Sequence, residues 1–295
     1  MKRVGRRLLE VWLERTGRRG ETPGGGDLEV VFYGQMLDDH WRAALKAPSE
    51  VWSAVPSVGR VTHAPRGRGD LYLRAADDRT VVIPLIEPDI LACPPVGRRL
   101  APTPSACRVY ADKRLFADFV AREGLADVAA SGLPLDGPIA FPCVLKRLDE
   151  RNGRGVVRVD GPDDLARRLA EKPWRGRPVM LQEWIDGTDE FVTHLVGEAG
   201  RILWHRTYAY GLAPGETIRN DRRIATKTPI ATPPEDLAAM ARFLAPLRWD
   251  GPCNVNYKRR ADGRIAVFEI NPRFGGSLVR PEARADLAEA LAVIV

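Results

Sequence analysis

Gly251-Pro252-Cys253-Asn254-Val255-Asn256-Tyr257 is followed by Ala261-Asp262-Gly263-Arg264 and then by Val267-Phe268-Glu269-Ile270-Asn271-Pro272-Arg273-Phe274-Gly275-Gly276. Two strand-forming runs flank an Asp-Gly pair, the strongest short-range signal for a β-hairpin. With Asp262-Gly263 as a two-residue turn, Asn256 faces Glu269 and Asn254 faces Asn271. Side chains alternate between the faces of a strand, so these four polar groups share one face. The opposite face carries Val255 against Ile270 and Tyr257 against Phe268, and reads as core.

A carboxylate among carboxamides on a core-backed sheet is costly to dehydrate unless something pairs with it. Oxygen ligands at this density suit a hard cation such as Mg²⁺, which keeps some waters and shares phosphate oxygens. The competing reading is a solvated outer face with a chance polar cluster, and a bulge in either strand would alter the pairing.

Asn254-Val255-Asn256 followed by Glu269-Ile270-Asn271-Pro272-Arg273 resembles the metal-binding hairpin of ATP-grasp enzymes, especially the carbamoyl-phosphate synthetase-like branch. The resemblance implies that Asn256, Glu269 and Asn271 hold Mg²⁺ (or Mn²⁺) against a triphosphate, and that Arg273 neutralises the transferring phosphoryl group. The family usually carries a carboxylate or Gln where this chain has Asn256, so a neutral, shorter ligand there weakens one metal site.

The 295 residues suffice for two or three lobes around a sizeable core. The net charge of +6 comes mostly from Arg residues scattered among Asp and Glu, without a long aromatic-interleaved basic stripe. That pattern makes a nucleic-acid partner the minority reading, since a polyphosphate ligand accounts equally well for a local positive field. Cys93, Cys107, Cys143 and Cys253 are far apart and form no CxxC pair, which argues against zinc or a disulfide framework and fits a reducing cytoplasm. No apolar run approaches a membrane span. The basic N-terminus is interrupted by Glu10, Glu14 and Arg15, unlike a signal peptide.

Residues 4–16 carry Val4, Leu8, Val11 and Trp12 at helical spacing, and Pro23-Gly24-Gly25-Gly26 breaks the pattern. This helix is expected to dock on the protein's own body or on a second copy, with a membrane-surface or partner role as the alternative. Strands are expected at Leu28–Tyr33, Leu71-Tyr72-Leu73 and Thr80–Ile86, with helices around 38–46 and 49–54. No G-x-G-x-x-G fingerprint supports a dinucleotide site there. Pro94-Pro95 through Pro104 reads as a stiff connector.

Asp112 can cap a helix whose first turn projects Lys113, where the helix dipole is also positive. A surface Lys on a capped helix explains the same residues. Ile139–Lys146 reads as an apolar strand ending in a cation, and Asn152-Gly153, Arg154-Gly155 and the strand Val156–Val159 follow. Such a flap can lay backbone N–H groups over phosphates, although Asn-Gly asks for nothing beyond a turn. It is no Walker A motif, because no GK[ST] follows. Helices are expected at 162–172, 234–245 and 282–295, and strands at 179–185, 191–196 and 202–210.

The resemblance covers residues 108–280 in the family's order. It implies that Lys113 and Lys146 contact the nucleotide, that Lys146 is also catalytic, neutralising charge together with Arg273, and that Arg154 and Gly155 cover the phosphates. It further implies that Glu183-Trp184-Ile185 form the linker reading the adenine edge and that Glu190 bonds the ribose. Trp184 and Ile185 could instead be plain core. From the cluster Arg219-Asn220-Asp221-Arg222-Arg223, Arg223 is a candidate to clamp a carboxylate or the γ-phosphate, and a solvated loop explains the same residues.

The fold class expected is α/β (α+β grasp): a helix and linker over 1–26, a small N-terminal α/β lobe over 27–104, a central grasp lobe over 105–186 and a C-terminal lobe over 187–295. The implied function is an ATP-dependent ligase that activates a carboxylic acid as an acyl phosphate and joins it to an amine-type nucleophile, releasing ADP and phosphate. The alternatives are an ATP-grasp carboxylase or carbamoyl-phosphate-type enzyme, and a catalytically degenerate ATP-binding module.

Overall fold

The computed structural model describes residues 25–35, 39–45, 50–150, 154–219 and 224–295, and the amphipathic pattern at 4–16 lies outside them. Strand β1 (Leu28–Tyr33) pairs in parallel with β2 (Val58–Ala64) and β3 (Thr80–Pro84), and β4 (Arg98–Arg99) adds to β3. The sheet order is β2-β1-β3-β4. Every residue of β1 after Leu28 is buried, as expected where both faces of a parallel sheet are covered. The one acid in it, Glu29, accepts from Thr62 Oγ1 at 2.7 Å and from the Tyr72 hydroxyl.

Two sequence expectations fail in this lobe. Leu71-Tyr72-Leu73 is no strand but part of the helix Arg68–Arg74. Gly69, Tyr72 and Leu73 stand at helical spacing and are buried, while Leu71 is 63% exposed. Gly69 sits so close to Ala64 that a Cβ there would lie 2.9 Å from its carbonyl carbon. The proline-bounded segment after residue 94 is more than a connector, because it contains β4.

The central sheet runs β5 (Gly132–Leu133), β8 (Val179–Glu183), β6 (Cys143–Arg147), β7 (Val156–Val159), all antiparallel. It has a core of its own, with Cys143, Leu145, Val159, Leu181 and Trp174 closed over by Leu165 of the helix Pro162–Ala170.

The C-terminal sheet is antiparallel, with order β11-β10-β9-β12-β13. Its strands are β9 (Asp189–Glu198), β10 (Arg201–Leu212), β11 (Ile224–Ile230), β12 (Gly251–Arg259) and β13 (Ile265–Asn271). Val255, Tyr257 and Ile270 pack with the helices Pro104–Ala111, Lys113–Arg122 and Pro234–Leu244. A second core joins Val30 and Phe32 of β1 to Val196 of β9, Tyr208 of β10, and Leu287 and Leu291 of the helix Arg284–Ala292. The N-terminal and C-terminal sheets are thus fused through apolar packing. No helix among the described residues is long and apolar enough to cross a membrane.

The decisive hairpin forms, with one correction. Asp262-Gly263 turns the chain inside a loop in which Arg260 N donates to Arg264 O (2.8 Å) and Gly263 takes a φ of 84°. This loop is one residue longer than a two-residue turn, so Tyr257 faces Val267 and not Phe268. A bulge at Phe268 then takes up the offset. Beyond it the pairing is Asn256 with Glu269, Val255 with Ile270, and Asn254 with Asn271. Phe268 leaves the core face and lines a cleft between the central and C-terminal sheets.

Candidate active site

A cleft of about 860 Å³ opens between the central and C-terminal sheets and reaches the N-terminal lobe at Glu87. Its floor is the hairpin. Asn254 Oδ1 accepts from both Asn256 Nδ2 and Asn271 Nδ2 at 3.2 Å, and Asn254 Nδ2 donates to Arg273 O at 3.0 Å. The Asn256 amide is fixed by what flanks it: Nδ2 faces the Asn254 oxygen, and Oδ1 accepts from Arg219 Nη2 at 2.6 Å. Arg219 also donates to Glu190 through its backbone N (3.0 Å) and Nε (3.1 Å), and its guanidinium carbon lies 4.5 Å from the Tyr210 ring centroid.

Among the described residues six carboxylates line the cleft. Glu87 pairs with Arg273, Glu150 with Arg147 and Arg154, Glu183 with Arg260, Glu190 with Arg219, and Glu282 with Lys227. Among the described residues Glu269 alone of the six makes no ion pair. It stands opposite Asn256 and two residues before Asn271, on the face that carries the amides.

Lys146 enters from β6 across the cleft. Its Nζ lies 3.5 Å from Phe268 O and 5.2 Å from the Phe268 ring centroid. Burial brings its pKa down from 10.5 to about 8, Lys113 pushes the same way, and Glu269 and Glu190 act against it. Lys113 occupies the first turn of its helix, with Asp112 Oδ1 capping Arg114 N (2.8 Å) and Leu115 N (3.2 Å). Lys113 Nζ donates to Glu150 O at 2.9 Å, tying that helix to the flap. Gly155 takes a φ of 62°, and a Cβ on it would lie 2.8 Å from Arg147 Cβ. Arg154 is exposed and reaches Glu150 Oε2 at 3.6 Å.

At the other end, Trp184 and Ile185 connect the two grasping sheets. Ile185 packs with Ala130 and Ala266, and Phe268 closes against them. The Trp184 ring has the Arg158 guanidinium at 4.9 Å and Lys258 Nζ at 5.2 Å. Lys258, two residues beyond Asn256 on the same face, donates to Gly187 O (2.7 Å) and Thr217 O (2.8 Å). The Glu183 carboxylate is bound by the Arg260 guanidinium and by Ser131 N (3.1 Å). Burial works to raise its pKa, but those bonds outweigh it and hold the pKa low.

Arg273 points to the junction with the N-terminal lobe, with Nε 3.2 Å from Glu87 Oε1 and Nη2 3.5 Å from Asn271 Oδ1. Behind it, His194 Nε2 lies 2.8 Å from Ser277 Oγ, and burial first, then Lys227, Arg219 and Arg273, bring its pKa down to about 3. His194 is therefore neutral at physiological pH and braces the turn after Arg273. Arg223 lies outside the described residues.

No protein-family profile matches the chain, and no curated protein matches it in sequence. Solved structures do match in shape. D-alanine–D-alanine ligase from Bacillus anthracis, solved with ATP, superposes with a TM-score of 0.60 at 13% identity, covering 92% of this chain and 96% of the ligase. Phosphoribosylamine–glycine ligase from Thermotoga maritima gives a TM-score of 0.62 at 15% identity, covering 87% and 71%. L-amino acid ligase from Bacillus licheniformis gives 0.53 at 17% identity, covering 86% and 69%.

The chain has the ATP-grasp fold. At these identities the likeness concerns the fold alone. Along the cleft the structure brings together Lys113, Lys146, Arg154, Glu183, Trp184, Ile185, Glu190, Asn256, Glu269, Asn271 and Arg273. Gly155 stands beside Arg154 in the flap. Three lining residues, Glu87, Lys258 and Lys227, carried no motif. Lys258 had one available signal, its even spacing from Asn254 and Asn256. Glu87 had none, since its partner is 186 residues away.

Proposed function

We propose that the chain is an ATP-dependent ligase that activates a small-molecule carboxylic acid as an acyl phosphate and passes the acyl group to an amine. The observation that carries this reading is Glu269: a carboxylate with no ion pair among the described residues, on the same strand face as Asn271 and lining, with Lys146, a cleft of nucleotide size. Oxygen donors of this kind fit a hard cation. Glu269 and Asn271 would hold Mg²⁺, which when bound supplies charge neutralisation at the outer phosphates of ATP.

The remaining work falls to the chain's own groups. Lys146 and Lys113, with Arg154 and the Gly155 backbone, would hold the phosphates, and Trp184-Ile185 would wall the base. Each oxygen of Glu190 receives one donor from Arg219 and keeps lone-pair capacity for a ribose hydroxyl. Arg273 would neutralise charge on the phosphoryl group as a carboxylate oxygen attacks the γ-phosphorus and the bond to ADP breaks. The amine nitrogen then attacks the acyl carbon, the C–O bond to phosphate breaks, and the nitrogen loses a proton. Positioning and electrostatics supply most of the rate in such phosphoryl transfers.

The test is ADP release over a panel of small carboxylic acids and amines, amino acids included, with the product mass read by mass spectrometry. ADP release that needs both partners, with a product lighter by one water than their sum, supports the ligase. Nucleotide binding without partner-dependent ADP release across the panel would favour the degenerate ATP-binding module.

A further inference from the structure

We infer that this cleft takes one divalent cation, at Glu269 and Asn271, and that the Arg219 guanidinium fills the place and the electrostatic role of a second. The inference rests on the nucleotide-ligase reading above and concerns the number of ions in that same site.

Asn256 stands opposite Glu269 on the hairpin, where a third oxygen ligand would have to come from. Its Oδ1 accepts from Arg219 Nη2 at 2.6 Å, a full hydrogen bond, whereas Asn271 Oδ1 lies 3.5 Å from Arg273 Nη2, at the outer limit of one. An ion bound to that oxygen would sit against a fixed positive charge in a buried site, where screening is weak. The amide cannot escape by flipping. A flip would set its NH₂ against the Arg219 donor and its oxygen against Asn254 Oδ1, which already accepts from Asn271. Asn256 itself is only 3% exposed.

Arg219 is equally hard to displace. Its backbone N and Nε each hold an oxygen of Glu190, and its guanidinium stacks on Tyr210. Swinging the side chain away would leave the Glu190 carboxylate, 7% exposed, without its charge partner. The acid inventory agrees. Among the described residues no group of three His, Cys, Asp or Glu side chains could hold a metal ion. Five of the six cleft carboxylates are taken by cations of the chain, so the negative charge left over belongs to Glu269. One carboxylate and one amide oxygen suit a single cation that completes its sphere with phosphate and water. From its seat between Glu190 and Asn256, Arg219 keeps a cationic group on the Asn256 oxygen, where a second ion would otherwise bind, and, unlike an ion, does not dissociate.

The experiment counts ions on the full chain. The protein is mixed with one equivalent of the non-hydrolysable analogue AMP-PNP, Mn²⁺ is titrated in, and free Mn²⁺ is read by electron paramagnetic resonance. The wild-type complex is expected to bind one Mn²⁺. A count of two overturns the inference while leaving the ligase reading in place. Failure of AMP-PNP to bind, read by calorimetry on the same sample, overturns both. The double variant Asn256→Asp/Arg219→Ala is expected to bind two Mn²⁺ ions, and a count that stays at one would remove Arg219 as the group that excludes the second. The wild-type count decides the matter if that variant does not fold.

Discussion

Raising the pH through the range just above 8 should weaken nucleotide binding, and the residue responsible is Lys146. Burial lowers its pKa from 10.5 to about 8, so the free protein carries a charged Lys146 below that pH and a neutral one above it. If only the charged form grips the phosphates, about one-tenth of the protein is competent at pH 9. The dissociation constant for AMP-PNP should therefore rise about tenfold between pH 7 and pH 9, equivalent to about 1.4 kcal/mol. A lysine at its ordinary value would leave affinity almost unchanged over that interval. The stability linkage has its own sign. The folded pKa lies below the unfolded one, so the folded chain gains stability as pH rises from about 8 towards 10.5 and lacks that gain at lower pH. Binding and stability thus move in opposite directions with pH. Calorimetric titrations from pH 7 to pH 9.5 would read the affinity, and Lys146→Arg should flatten the curve because arginine stays charged. A flat curve for the wild-type protein, or the same slope in Lys146→Arg, would refute the reasoning.

Three further outcomes are expected. Glu269→Ala should abolish Mg²⁺-dependent ADP release, a loss of at least about a hundredfold, while the circular-dichroism melt stays cooperative; retained turnover at saturating Mg²⁺ would contradict the metal role. Glu87→Gln leaves Arg273 without its charge partner at 3.2 Å and should lower stability by about 1–3 kcal/mol by denaturant titration; it should also reduce ADP release by loosening Arg273. Gly275→Ala would place a Cβ 2.3 Å from His194 Cε1, pushing the ring off Ser277. A stability loss of about 1–3 kcal/mol is expected there, whereas Gly276→Ala, with nothing within 4 Å, should be silent.

The hairpin was legible because its site end obeys period-2 alternation, which a sequence displays directly. The two irregularities between turn and site, a longer loop and a bulge at Phe268, offset each other for Asn254, Asn256, Glu269 and Asn271. They did not for Tyr257, and they moved Phe268 from expected core to the cleft wall beneath Lys146. The Leu71-Tyr72-Leu73 stretch misled because three apolar residues fit either period, and the close approach of Gly69 to Ala64, which the helix needs, joins residues of different elements. Strand β2 escaped notice since Arg60 and His63 interrupt its apolar run. Asp112 could be read as a cap because capping is local in sequence. The ion pairs that occupy Glu87, Glu183 and Glu190 could not be read, since each joins residues at least 29 apart across different elements.

The most direct test is a crystal structure of the full chain grown with Mn²⁺ and AMP-PNP, with anomalous scattering used to locate the metal. The triphosphate is expected between Lys146 and Glu269, with an anomalous peak coordinated by Glu269 and Asn271 and the base beside Trp184. Nucleotide bound elsewhere, or a peak remote from Glu269, would contradict it.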